Sequence, residues 1–113
     1  MAGKRGGLHS YTVQEAQNSS MGQVGSVYLD TDGQTLTPTN GVIVAITMIT
    51  DCAFDTLTPE DSTKYIGISS SGYESAGNTY TASDSFPSGM TIYGRWTSVS
   101  VNSSGEKCIC YIG

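Results

Sequence analysis

Charge is what this chain has least of. Asp, Glu, Lys and Arg make up 13% of its 113 residues, about half of the ~25% usual in globular domains. Basic residues are the scarcer kind, five against ten acidic, for a formal net charge of -5. Nucleic-acid binding needs clustered Lys and Arg to displace counterions, so this balance argues against a nucleic-acid partner. No apolar run approaches the ~18 residues of a membrane span. The basic pair Lys4-Arg5 has no apolar stretch behind it, so no signal peptide is expected either. His9 is the only histidine, in a polar segment, and no Ser-His-Asp or Cys-His pairing can be built around it locally. Three cysteines are an odd count and make no disulfide framework.

What is present is hydroxyl, amide and glycine. Ser, Thr, Asn, Gln and Gly must supply the polar surface that charge does not, a composition suited to rigid β-structure and neutral packing surfaces. The length is that of one domain. A chain of this size buries about 60–70% of its unfolded surface without staples.

Val42–Thr50 is the most apolar run. Val42, Val44, Ile46 and Met48 fall on one alternate set, Ile43, Ala45, Thr47 and Ile49 on the other. An amphipathic helix would leave one side polar, and the β-branched content is high, so the run predicts a central strand buried on both faces. Val24–Leu29 predicts a strand before it, and the Asp30–Gly33 turn predicts a hairpin returning through Thr35–Thr37. Asp51–Asp61 reads as a loop with Phe54 and Leu57 tucked into the core, Lys64-Tyr65-Ile66 as a short strand, and Ser69–Ser85 as an exposed loop or weak hairpin. Phe86–Gly113 reads as a C-terminal hairpin. Its strands are Thr91–Val101 and Lys107–Ile112, joined by a turn at Asn102–Gly105.

Residues 1–23 are polar, with isolated Leu8, Tyr11, Val13 and Met21. They read as an extended arm, and a frayed terminus accounts for the same composition. The expected architecture is all-β: a small single-domain β-sandwich or jelly-roll-like barrel over residues 24–113, with an extended N-terminal arm over 1–23.

Four clusters invite a chemical reading. Asp30-x-Asp32-Gly33 resembles the opening of a calcium loop, but Gln34, Leu36 and Pro38 stand where ligands should follow, so a plain turn is expected. Asp51, Asp55, Glu60 and Asp61 crowd one stretch. Paired carboxylates do acid/base work in glycosidases, yet Thr58-Pro59-Glu60-Asp61 is itself a good capping sequence, so a solvated edge is the stronger reading. Cys108-x-Cys110 with His9 or Cys52 is too sparse for zinc; both thiols are expected on one strand face as packing residues. Tyr73, Tyr80, Tyr93, Trp96 and Tyr111 make a candidate aromatic platform. Arg95 must point away from the core if Trp96 points into it. The expected partner-binding residues are therefore Lys4, Arg5, Tyr11, Tyr73, Tyr80 and Arg95, with no catalytic, cofactor or metal residue.

The string Phe86-Pro87-Ser88-Gly89-Met90-Thr91-Ile92-Tyr93-Gly94-Arg95-Trp96-Thr97, then Cys110-Tyr111-Ile112-Gly113, taken with Val42–Phe54, resembles small structural proteins of tailed phages, especially marine ones. Among these are head-decoration (capsid cement) proteins. The resemblance implies a non-enzymatic virion component on the capsid surface, assembled in the host cytoplasm. It implies a β-rich homo-oligomer, most simply a trimer, that binds the major capsid protein at capsomer junctions and needs no cofactor. The competing expectation is a receptor- or carbohydrate-binding module of a phage tail or fibre.

Overall fold

The structure, a computed structural model, describes residues 24–113. The expected arm, with Lys4, Arg5, His9 and Tyr11, lies outside the described residues. The described part is all-β, as expected: β1 Gly25–Leu29, β2 Ile43–Met48, β3 Phe54–Pro59, β4 Ile66–Gly67, β5 Ser70–Ser71, β6 Thr91–Val101 and β7 Cys108–Ile112, with a single 3-10 turn at Tyr73–Ser75. Five strands form an antiparallel sheet in the order β1-β7-β2-β6-β3, and β4 and β5 pair as a second, small sheet. Among the described residues, no helix is long and apolar enough to cross a membrane.

The two-sided apolar run takes the central place expected of it. β2 lies third of five, with Ile43, Val44, Ala45, Ile46 and Met48 all buried. That position corrects the reading of the C-terminus. Both strands form, with β6 spanning Thr91–Val101 as expected, but they are not a hairpin: β2 is hydrogen-bonded between β6 and β7. Both neighbours set apolar residues against it, Trp96 and Ile92 of β6 on one side, Cys108, Cys110 and Ile112 of β7 on the other. The Asp30–Gly33 turn likewise builds no hairpin. β1 pairs with β7, and Leu36 instead bridges Val99 on β6. Asp51–Asp61 is not a loop throughout either, since it contains β3. There Phe54 and Leu57 are both fully buried, three positions apart, because the register shifts between Phe54 and Thr56. The expected strand at Lys64–Ile66 is reduced to Ile66–Gly67.

β6 is where the sheet turns over on itself. The Met48 N–H donates to the Met90 carbonyl (2.8 Å), while Phe54 stands opposite Val101. A straight strand from residue 90 to 101 would run ~36 Å, but the chain from Met48 to Phe54 reaches ~21 Å at most. β6 must therefore bend, and the β3 register skips Thr97, pairing Ser98 with Thr58 and Trp96 with Pro59, as a bulge does. The bend folds β3 and the far half of β6 toward the wall made by β1, β7 and β2. One core lies between them: Trp96, Val99, Val101, Phe54 and Leu57 from one side, Leu29, Ile46, Met48, Cys108 and Cys110 from the other. Gly94 is required there, because a Cβ on it would stand 2.8 Å from the Trp96 ring.

The small sheet seals the end of this core. The Trp96 indole N–H donates to the Ile66 carbonyl at 2.7 Å, and the Ile68 N–H donates to the Leu57 carbonyl at 2.9 Å along the free side of β3. Tyr80, expected in an exposed loop, is drawn inward. Its ring stacks on Phe86 with centroids 5.2 Å apart; its hydroxyl accepts from the Phe54 N–H (3.0 Å) and donates to the Asp84 carbonyl (2.9 Å).

Candidate functional site

Side chains alternate along a strand, so burying Ile46, Cys110 and Trp96 fixes what faces out. Cross-strand partners on the outer face fall in two rows. One runs Ser26, Tyr111, Ala45, Tyr93; the other runs Tyr28, Ile109, Thr47, Thr91. Opposed side chains in such rows are ~5 Å apart and form one continuous surface. Tyr93 is 62% exposed and Tyr28 49%, while Ala45 is buried between Tyr93 and Tyr111. Thr47 and Thr91 share a hydroxyl–hydroxyl hydrogen bond of 2.9 Å. No residue of the two rows is ionisable at neutral pH. The outer face is thus broad, neutral and tyrosine-bearing, in an acidic chain.

Arg95 borders this face, pointing outward as expected, but it has a partner. Its Nε donates to Glu60 Oε1 at 2.7 Å and Nη2 lies 3.4 Å from Oε2. The hydrogen bond from Arg95 holds the Glu60 carboxyl below its ordinary pKa and raises that of the guanidinium. Tyr73 projects from the 3-10 turn at 66% exposure, on backbone where Ser69, Glu74 and Ser75 all have positive φ. Tyr80 does not join it as a surface residue, and burial pushes its hydroxyl pKa up. Of the aromatic platform expected from sequence, Tyr93 and Tyr111 share the outer face, Trp96 is wholly in the core, and Tyr73 stands on the small-sheet loop. Tyr28 and Ile109 were not singled out from sequence. Their signal was alternation: Tyr28 sits between the inward Val27 and Leu29, and Ile109 between Cys108 and Cys110.

Three of the four acids have separate structural duties, and Asp55 is exposed on β3. Asp51 Oδ1 accepts from the Ser88 N–H (2.8 Å), Glu60 pairs with Arg95, and Asp61 Oδ1 accepts from the N–H (2.9 Å) and hydroxyl (2.6 Å) of Thr63, opening a turn. Those Thr63 bonds hold Asp61 below its usual pKa, the reverse of what a general acid requires. Asp30 and Asp32 lie in a plain turn closed by a Gln34 N–H to Thr31 carbonyl bond, with Gly33 at φ 86°. All three cysteines are free and buried, and no group of three or more metal-ligating side chains occurs among the described residues.

Compared with known proteins, the chain matches no family model, no curated protein and no solved structure.

Proposed function

We propose that this is a non-enzymatic structural protein of a phage virion, a capsid decoration protein that docks on the major capsid protein and reinforces the shell. The observation that carries the reading is the neutral outer face with Tyr28, Tyr93 and Tyr111. Tyrosine-rich patches without charge are favoured in interfaces because the ring buries area while the hydroxyl finds a partner. The resemblance of Phe86–Thr97 and Cys110–Gly113 to small tailed-phage structural proteins supports the same reading. Self-association as a trimer on capsomer junctions belongs to it. So does a shell contact from Lys4, Arg5 and Tyr11, which rests on their sequence alone. The acidic balance disfavours nucleic acid as the partner.

The test is addition of the purified protein to undecorated heads. The double variant Tyr28→Asp/Tyr93→Asp places charge on the face without touching the core. It should fold normally and lose binding. Undiminished binding by the folded variant overturns the assignment of this face, and co-sedimentation with tails rather than heads overturns decoration.

A second reading, a receptor- or carbohydrate-binding module of a tail or fibre, is favoured by Tyr73, which is 66% exposed on its loop. An aromatic ring held out in this way can stack on a sugar face. Binding on a glycan array that disappears with Tyr73→Ala would select this reading.

A further inference from the structure

The two lateral edges of the large sheet are finished differently. Along β3 the Leu57 carbonyl accepts from the Ile68 N–H, and Ile68 is bridged in turn to Tyr80. Along the outer side of β1 no strand pairs among the described residues.

The hydrogen-bond ladder says which groups of β1 have no partner among the described residues. The Ile49 N–H donates to the Lys107 carbonyl, so in the same register Ile109 and Tyr111 turn their backbone groups toward β2. Cys108, Cys110 and Ile112 then turn theirs toward β1, where they meet Leu29, Val27 and Gly25. The Ile112 carbonyl accepting from the Val24 N–H agrees with Ile112 facing β1, and it draws Val24 out of the alternation that Ser26 and Tyr28 follow. The N–H and C=O of Ser26 and Tyr28 therefore point out of the sheet. Edges are ordinarily protected by charge, proline or a bulge, and Gly25–Leu29 has none of these.

We infer that the open edge of β1 pairs with β1 of a second copy, antiparallel about a twofold axis at Val27. Ser26 of each copy then stands opposite Tyr28 of the other, and each such pair exchanges both of its N–H···O bonds. The pattern is self-complementary because the two outward residues are spaced symmetrically about Val27. Charge favours the same site. Gly25–Leu29 carries no charged side chain, so two chains of net charge -5 meet along a neutral stretch, with Asp30 just beyond its end. Pairing also continues the outer face, because Tyr28 (49% exposed) and Val24 (60% exposed) both lie at this edge. The contact goes beyond the proposed function and needs no virion. A twofold contact cannot close a trimer, so in a trimeric protein it joins neighbouring trimers.

Ser26→Pro tests it on the full chain. The proline removes an outward N–H and sets its ring where the second strand lies, while every β1–β7 bond stays intact. Ser26→Lys does the same by charge and decides the matter should the proline variant not fold. Sedimentation at tens of micromolar should show both variants at a lower mass than wild type, half of it where the wild type is a dimer, with circular dichroism and melting temperature nearly unchanged. Wild type and folded variants of equal mass overturn the pairing, whether that mass is one chain or several.

Discussion

The Trp96 indole N–H donates to the carbonyl of Ile66 across 2.7 Å, joining the main sheet to the small one. It is the one polar atom of the largest buried side chain, and it is satisfied by a residue thirty positions away in sequence. Trp96→Phe leaves the Ile66 carbonyl without this donor and opens space beside Gly94. A loss of about 2–4 kcal/mol in urea unfolding is expected, from an unsatisfied polar group plus a cavity. Gly94→Ala attacks the same contact from the other side by pressing a methyl into the ring, and about 1–3 kcal/mol should be lost. A Trp96→Phe variant as stable as wild type would mean that the small sheet is not fastened here.

Glu106 closes the opposite end of the core. Its Oε2 accepts from the Ala53 N–H (3.3 Å), and its Oε1 accepts from the N–H groups of Ser103 (3.0 Å) and Asn102 (3.1 Å). One carboxylate thus ties the β6–β7 turn to the β2–β3 connection. Glu106→Ala orphans the Ala53 and Ser103 donors, while the Asn102 N–H keeps its bond to the Ala53 carbonyl (3.0 Å), and should cost about 1–3 kcal/mol. Glu106→Gln keeps one acceptor oxygen and should cost less. Equal losses in chemical denaturation would show that packing, not the oxygens, matters.

How far the sequence carried these features depends on their range. The central strand was legible because Val42–Thr50 is apolar at both alternate sets, which only burial on both faces explains. The limits of β6 were legible from its β-branched and aromatic run between turns. Pairing was not. Nothing local to Thr91–Ile112 says that β2 will enter between β6 and β7, since the reason is the apolar surface of a strand some fifty residues earlier. β3 was missed because a register shift beside Asp55 breaks the alternation that would have announced it. The outer face was half legible: Tyr93 and Tyr111 were named as aromatics, but only the β1–β7 register brings Tyr28 and Ile109 alongside them.

The Glu60–Arg95 pair predicts a pH dependence. Its hydrogen bond from Arg95 holds the folded Glu60 carboxyl below its unfolded pKa. The stabilisation is therefore present above the unfolded value of ~4.3 and is lost as pH falls through the folded one. Glu60→Gln should melt below wild type at pH 7, and the two should converge below about pH 4. The gap should also narrow with added salt, because both side chains are solvent-exposed. A gap that persists undiminished in acid would assign the effect to something other than the charge.

The cysteines give the last prediction. Cys52, Cys108 and Cys110 are all free and 0% exposed. Burial pushes the Cys52 thiol up, although Thr50 and the Lys107 carbonyl lie within hydrogen-bonding reach of its sulfur. The proximity of the two thiols on one strand face, with burial, raises Cys110, and the same proximity lowers Cys108. Only thiolate reacts with disulfide reagents, so the lowered member is the one to watch. Its burial still denies a reagent access until β7 leaves the sheet. Alternate positions on one strand also set the two Cα atoms ~6.5 Å or more apart, at the outer limit of disulfide geometry. In the folded protein, labelling by an aromatic disulfide reagent should proceed only as fast as the sheet opens, and in urea all three thiols should react at once. Labelling of Cys108 within seconds under native conditions, located by mass spectrometry, would show that β7 frays from its start and that the seam around Glu106 and Cys52 does not hold it. Cys110→Ser provides the stability counterpart. It buries a hydroxyl among Val27, Ile46 and their neighbours and should cost about 1–3 kcal/mol, more than Cys110→Ala if polarity rather than volume is what the core excludes.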